Sequence, residues 1–175
     1  MSQRINQSLI LVASFALFGG GASIAAQAAN ANPKFTDYPV TVLKGPKAPL
    51  RLEKRDLDFR TRYRNLYKSS LNFAGHYIVD TVGCGVGCVF LLKLDVKTGK
   101  PAEWDVTSGE DVTECAEDYR DAKGEVVDKG YYFKPNSRLF VVTGQMPGNE
   151  CGARYYLETN GKMTLIKEIH LEKSH

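Results

Sequence analysis

The chain has 175 residues, a quarter of them charged, and a formal net charge of +3 at pH 7. This length suits a single domain, and so small a net charge does not indicate a nucleic-acid-binding protein. Beyond the first 30 residues no apolar run approaches the ~20 residues that cross a bilayer.

The first 28 residues have the organisation of a bacterial signal peptide. Arg4 precedes an apolar run, Leu9–Phe18, and small residues follow as far as Ala28 and Ala29. A positive start, a short apolar core and an Ala-x-Ala end are typical of sites cut by signal peptidase. The alternative, an uncleaved membrane anchor, would need a longer apolar run. We therefore expect cleavage after Ala28 or Ala29 and export to the periplasm or the medium.

Residues 29–50 are rich in Asn, Pro and Lys and are predicted to form an extended lead-in, with an edge strand near Tyr38–Val42. The next segment, Leu52–Lys68, is predicted to be a helix. Its apolar residues, such as Phe59 and Tyr63, are spaced so that they share one face. The basic residues between them lie mostly off that face, as on a solvated helix surface.

The chain from residue 73 onward has the alternation and the turns of β-strands. The predicted strands are His76–Val82, Val89–Val96, Tyr131–Phe133, Leu139–Thr143, Arg154–Leu157 and Met163–Ile166. Tight turns are expected at Lys97–Lys100 and at Asn160–Gly161. The sequence thus predicts one α+β domain over 51–170, with an N-terminal helix packed on an antiparallel sheet of six or seven strands.

Four cysteines, Cys84, Cys88, Cys115 and Cys151, occur in the expected mature chain. An even number in an exported protein predicts two disulfide bonds, and four cysteines allow three pairings. We favour Cys84–Cys88 with Cys115–Cys151, because the first two flank a bend rich in glycine. The second bond would close a long loop and could stabilise the fold by ~3–4 kcal/mol. The other two pairings stay open.

The segment between the first two cysteines is a candidate binding loop. Glycines alternate there with the cysteines and one valine, at positions Gly83, Gly85, Val86 and Gly87. Glycine permits a sharp bend, and a disulfide would hold the bend rigid, which lowers the entropic cost of binding a partner. The alternative is a stapled turn that serves only the fold.

An acidic stretch, residues 103–128, is a second candidate binding surface. It has ten carboxylates against two basic residues, whereas residues 51–68 have a net charge of +4. Such segregation can steer a basic partner, and Glu110 and Asp111 lie near the middle of the stretch. The alternative is a solvated polar loop tied down by Cys115.

Catalytic chemistry would most simply use His76, with Asp80 or a nearby cysteine. On a strand, His76 and Asp80 would face the same side, as a base and its orienting group require. A zinc site could use His76 with Cys84 and Cys88, but it lacks a second pair of ligands. No flanking signature marks a reactive cysteine, and we expect neither a metal nor a cofactor.

Several motifs resemble those of a family of small exported proteins of Gram-negative bacteria. They are Phe59–Arg62, the NFAGHY run at Asn72–Tyr77, the GCGxGC run at Gly83–Cys88, Asp95–Gly99 and Ser137–Leu139. The resemblance extends over about residues 55–166. It implies export and a common fold, and it implies no particular activity.

These features together favour a periplasmic binding protein over an enzyme. We expect an inhibitor or immunity factor that captures a basic protein through the glycine-rich loop and the acidic stretch. The alternative is a small hydrolase or metal-dependent enzyme centred on His76. A third hypothesis is an envelope protein whose sheet joins a larger assembly.

Overall fold

The computed structural model of the chain describes residues 31–85, 88–104, 106, 119–120, 126–127, 130–146 and 150–170. Within these ranges the chain forms one short α-helix and nine β-strands. The strands belong to two larger antiparallel sheets and one two-stranded ribbon. The expected signal peptide, residues 1–28, lies outside the described residues.

The first sheet has three antiparallel strands, β1 (Tyr77–Gly85), β2 (Cys88–Asp95) and β3 (Lys100–Ala102). Apolar side chains alternate on β1 so that both of its faces are buried. Ile78 lies on the face toward the helix, and Val79 lies on the opposite face. A sheet with two apolar faces has to be covered on both sides.

The observed helix is shorter than the one predicted over Leu52–Lys68. A 3-10 turn occupies Lys54–Phe59, and the α-helix, α1, occupies only Arg60–Lys68. The Asp56 carboxylate accepts the backbone N–H of Glu53 at 2.8 Å, which holds the first turn in its tighter form. Helix α1 buries Tyr63 and Leu66 against β1 and β2, while the basic side chains of α1 are exposed.

The second sheet has four strands in sequence order. They are β6 (Gly130–Phe133), β7 (Leu139–Met146), β8 (Glu150–Thr159) and β9 (Lys162–His170). The ribbon pairs β4 (Tyr119–Arg120) with β5 (Val126–Val127). The β8–β9 hairpin turns at Asn160 and Gly161, which both have a positive φ, as the predicted two-residue turn requires.

The prediction of a single sheet of six or seven strands is wrong. The structure is a mixed α and β fold, composed mostly of strands, in which two sheets pack on each other. Tyr77 and Val79 of the first sheet share one core with Phe140, Tyr156 and Met163 of the second sheet. A helix of nine residues covers only one face of the first sheet, so the other face is buried by a second sheet.

The lead-in covers the outer face of the second sheet. Phe35 and Tyr38 pack against the cluster that contains Leu139 and Val141. The edge strand predicted near Tyr38–Val42 is reduced to a single bridge from Pro39 to Ser137. Among the described residues, no helix has both the length and the apolar character needed to cross a bilayer.

Candidate functional site

An open cleft of about 750 Å³ lies at the end of the β1–β2 hairpin where β1 begins. Four connecting segments supply its polar walls: the turn before β1, the β2–β3 turn, the residues before β7 and the β8–β9 turn. The polar side chains that line it include His76, Asp95, Lys97, Arg138, Glu158 and Lys162. We name this feature the His76 cleft.

The NFAGHY run positions His76 at the cleft. The Asn72 side chain bonds both the N–H and the C=O of Val79, each at 2.8 Å, which closes the loop before β1. Ala74 and Gly75 both have a positive φ. A Cβ on Gly75 would lie 2.5 Å from the Thr41 carbonyl oxygen, so only glycine fits where the lead-in crosses this turn.

The imidazole of His76 is largely buried, with 16% of its side chain exposed. Its Nδ1 lies 3.0 Å from the Ala74 carbonyl oxygen, which accepts a hydrogen bond from the Nδ1–H of the neutral ring. The ring packs on Tyr77 with the two centroids 4.1 Å apart. Burial lowers the pKa of His76, although Asp95, whose Oδ1 lies 3.8 Å from Nε2, opposes that shift.

A buried polar cluster forms the floor of the His76 cleft. Glu158 is 4% exposed, and its carboxylate accepts the Gly161 N–H at 2.7 Å and the Tyr77 hydroxyl at 3.4 Å. Lys93 is fully buried, and its Nζ donates to the Gly161 carbonyl oxygen at 3.3 Å. The same ammonium lies over the rings of Tyr77 and Trp104, at 5.1 and 4.8 Å from their centroids. The floor is therefore fixed by contacts between the two sheets.

Each carboxylate that lines the cleft is held by donors of the protein. Asp95 accepts the N–H of Lys97 at 2.9 Å and the hydroxyl of Thr98 at 3.1 Å. Glu103 accepts from Arg55 at 2.7 Å. Glu158 accepts the floor contacts, and so each of these acids already has hydrogen-bond donors within the protein.

Three cations of the cleft have no partner of opposite charge among the described residues. Lys97, Arg138 and Lys162 line the cleft, and none of the three has an acidic partner within salt-bridge distance among the described residues. Lys100, by contrast, pairs with Glu53 at 3.2 Å. The unpaired charge at the mouth of the cleft is therefore positive.

The predicted binding loop lies at the other end of the β1–β2 hairpin. Gly83 and Gly85 are exposed at its tip, where Gly85 pairs with Cys88 and has a φ of +139°. Strand rise places that tip roughly 25 Å from the His76 cleft. Four of the predicted partner residues lie outside the described residues: Val86, Gly87, Glu110 and Asp111.

The predicted partner of His76 is not the one that the fold supplies. Asp80 is exposed, and its Oδ1 accepts the N–H of Thr81 at 2.9 Å. The carboxylate near His76 belongs to Asp95, which faces Tyr77 across the β1–β2 pair. His76 precedes β1 in a turn and is not a strand residue, so the assumed alternation does not apply.

The disulfide pairing stays a prediction. Cys151, at the start of β8, is disulfide-bonded. The side chains of its three potential partners, Cys84, Cys88 and Cys115, lie outside the described residues. Within the described ranges, no three His, Cys, Asp or Glu side chains form a group that could hold a metal ion.

Of the groups at the cleft and in its floor, only His76 was predicted from the sequence. Lys93 and Glu158 lie on strands of different sheets, and each occupies a position where a soluble strand normally buries an apolar residue. A charged residue inside an apolar run, as in Leu91-Leu92-Lys93-Leu94, was the available signal for a buried polar cluster. No local pattern connects Lys97, Arg138 and Lys162, since they are brought together only by the stacking of the sheets.

Comparison with known proteins adds no relative. No protein-family model matches the chain. No curated protein and no solved structure matches it either. The resemblance carried by the NFAGHY and GCGxGC motifs therefore stays a prediction.

Proposed function

We propose that the protein is a non-enzymatic binding protein of the periplasm, and that the His76 cleft is its site for an anionic ligand. One observation carries this proposal. The carboxylates that line the cleft are satisfied by donors of the protein, whereas Lys97, Arg138 and Lys162 have no acidic partner among the described residues.

An anion in the cleft gains charge-assisted hydrogen bonds that the free protein lacks. Each such bond contributes about 1.5–3 kcal/mol when the charged partner is at least partly desolvated. Arg138 is half-buried, while Lys97 and Lys162 are exposed at the rim, so we expect Arg138 to contribute most. The fixed floor beneath them lowers the ordering cost of binding.

A catalytic role for His76 has less support. A general base needs a ring nitrogen directed at the reacting group and a partner that orients the ring. The Nδ1–H of His76 bonds the Ala74 carbonyl oxygen and leaves Nε2 facing Asp95 at 3.8 Å, but both oxygens of Asp95 hold the β2–β3 turn. The imidazole is therefore better placed to bind a ligand than to relay a proton through Asp95.

Isothermal titration calorimetry of the mature chain with inorganic phosphate and with citrate tests the proposal. We expect binding that weakens at least tenfold in Arg138→Ala and is abolished when Lys97 and Lys162 are also replaced by Ala. The matched control is Lys134→Ala, which removes an exposed cation that lies over the Phe35 ring and does not line the cleft. Equal affinity in Arg138→Ala and the wild type would reject the cleft as the site.

The acidic stretch supports a second binding role, the capture of a basic protein. Its net charge of −8 is concentrated in residues 103–128. We propose that a periplasmic or secreted basic protein binds there, with the glycine-rich loop as a further contact. A pull-down with the wild type and with the double variant Glu110→Lys/Asp111→Lys tests this role. We expect the wild type to retain a basic partner that the double variant does not retain. Arg138→Ala should retain that partner, because it removes a positive charge from the cleft and leaves the acidic stretch intact.

A further inference from the structure

A second, smaller cavity of about 320 Å³ lies beside the first. Its walls are mainly aromatic and aliphatic, from helix α1 and the turn before it, strand β2 and the end of β3. The aromatic members are Phe59, Tyr63, Phe90 and Trp104. We name it the aromatic pocket.

The two cavities adjoin each other at one wall. Arg55, Pro101, Ala102 and Glu103 line both the His76 cleft and the aromatic pocket. Strand β3 ends at Ala102 and pairs only with residues 93–95 of β2, so it covers only part of the β2 edge. The boundary is thus formed by the half-buried side chains of Pro101 and Ala102 and by the Arg55–Glu103 ion pair, whose two partners are 59% and 76% exposed.

The charged groups of the aromatic pocket are compensated by one another. Arg55 donates to Glu103 at 2.7 Å, and its Nε lies 3.8 Å from the Asp56 carboxylate. The rest of the wall consists of rings and aliphatic side chains, with Phe59 and Phe90 in edge contact at 5.2 Å between centroids. This pocket therefore attracts an apolar group, whereas the adjoining cleft attracts an anion.

We infer that the ligand of this protein is an amphipathic anion, in which a compact apolar group is joined to a carboxylate or phosphate. The anionic end occupies the His76 cleft near Arg138, and the apolar end occupies the aromatic pocket across Ala102. This inference rests on the proposed function of the cleft. A cavity of 150 Å³ accepts benzene in other proteins, so the aromatic pocket has room for a phenyl group or a short alkyl chain.

The expected gain in affinity follows from the burial of the apolar group. Each methylene group removed from water strengthens binding about fourfold. The phenylethyl group of 3-phenylpropionate, buried in the aromatic pocket, should therefore strengthen binding of a carboxylate by well over tenfold. An anion that binds only through its charge would gain nothing from the same group.

Titration calorimetry with three probes tests the inference: acetate, 3-phenylpropionate and 3-phenylpropylamine. We expect 3-phenylpropionate to bind at least tenfold more tightly than acetate, and the amine to bind far more weakly than 3-phenylpropionate. If the two acids bind equally, the inference is wrong and the proposed function stands. If neither acid binds, the proposed function itself fails. If the amine binds as tightly as the phenyl acid, the pocket is an apolar site unrelated to the anion cleft.

A pair of variants locates the apolar group. Phe59→Leu removes one aromatic wall of the pocket and should weaken 3-phenylpropionate at least threefold while leaving acetate unchanged, which also shows that the variant is folded. The matched control, Phe35→Leu, alters a half-buried ring that packs on the second sheet and lines neither cavity. The apolar end would not lie in the aromatic pocket if Phe59→Leu weakened acetate and 3-phenylpropionate equally. The same conclusion would follow if Phe59→Leu and Phe35→Leu weakened 3-phenylpropionate equally.

Discussion

Lys93 and Glu158, from strands of different sheets, bind the two polar groups of the same residue. The Lys93 ammonium donates to the Gly161 carbonyl oxygen at 3.3 Å, and the Glu158 carboxylate accepts the Gly161 N–H at 2.7 Å. Gly161 has a φ of +90° and forms the tip of the β8–β9 hairpin. Lys93 therefore anchors the hairpin to the first sheet at the point where the hairpin lines the His76 cleft.

Removal of the Glu158 carboxylate should destabilise the fold. In Glu158→Ala the Gly161 N–H and the Tyr77 hydroxyl lose a buried acceptor, and each unsatisfied group costs about 1–3 kcal/mol. We expect a loss of about 2–4 kcal/mol in the free energy of unfolding, measured by urea denaturation. Thr159→Ala, at the exposed neighbouring position, should stay within ~0.5 kcal/mol of the wild type. Equal midpoints for the two variants would show that the floor contacts are not structural.

Gly99 should tolerate no side chain. Its φ is +73°, and a Cβ there would lie 2.0 Å from the Pro49 carbonyl oxygen of the lead-in. Gly99→Ala should cost about 3 kcal/mol or more, because the strained backbone and the steric clash add. Gly83→Ala is the control, since a Cβ at Gly83 meets nothing within 4 Å. Thermal unfolding of both variants measures the difference, and a Gly99→Ala protein as stable as Gly83→Ala would contradict the described turn.

The buried imidazole should make stability depend on pH near neutrality. Burial lowers the pKa of His76 from the value of 6.5 expected in the unfolded chain. Above pH 6.5 the ring is neutral in both states, so it adds no pH dependence there. As the pH falls below 6.5 the unfolded chain takes up the proton first, and the free energy of unfolding decreases until the lower folded pKa is passed.

A His76→Gln variant should lose that part of the pH dependence. We expect the wild type to lose more stability than the variant between pH 7.5 and pH 5, as measured by urea denaturation at each pH. The groups that set the shift are the Asp95 and Glu158 carboxylates, the Lys97 ammonium and the Ala74 carbonyl oxygen, with burial the largest cause. Parallel pH profiles for the two proteins would show that His76 titrates as it does in the unfolded chain.

Local features of the fold could be predicted from the sequence, because they depend on near neighbours. The β1 and β2 strands, the Asn160–Gly161 turn and a helix near residue 60 follow from alternation and turn chemistry. The division into two sheets could not be predicted in this way. It depends on both faces of β1 being apolar and on one helix being too short to cover them, which is a property of the assembled layers.

The candidate site was harder to predict for the same reason. His76 stood out as the one internal histidine, but its carboxylate neighbour, Asp95, comes from the next strand and not from β1. Arg138 and Lys162 reach the cleft only because the second sheet stacks on the first. The composition of the glycine-rich loop predicted a binding site there, yet the loop lies at the opposite end of the hairpin from the cleft.

Proton NMR of the His76 ring, titrated with 3-phenylpropionate, tests the anion-binding cleft most directly. A bound anion stabilises the imidazolium, so the account predicts that His76 signals shift on addition of the acid and that the pKa of His76 rises. The same linkage requires tighter binding as the pH falls through the pKa of His76 in the complex. Unchanged His76 signals and an unchanged His76 pKa at saturating ligand would contradict an anion site in this cleft.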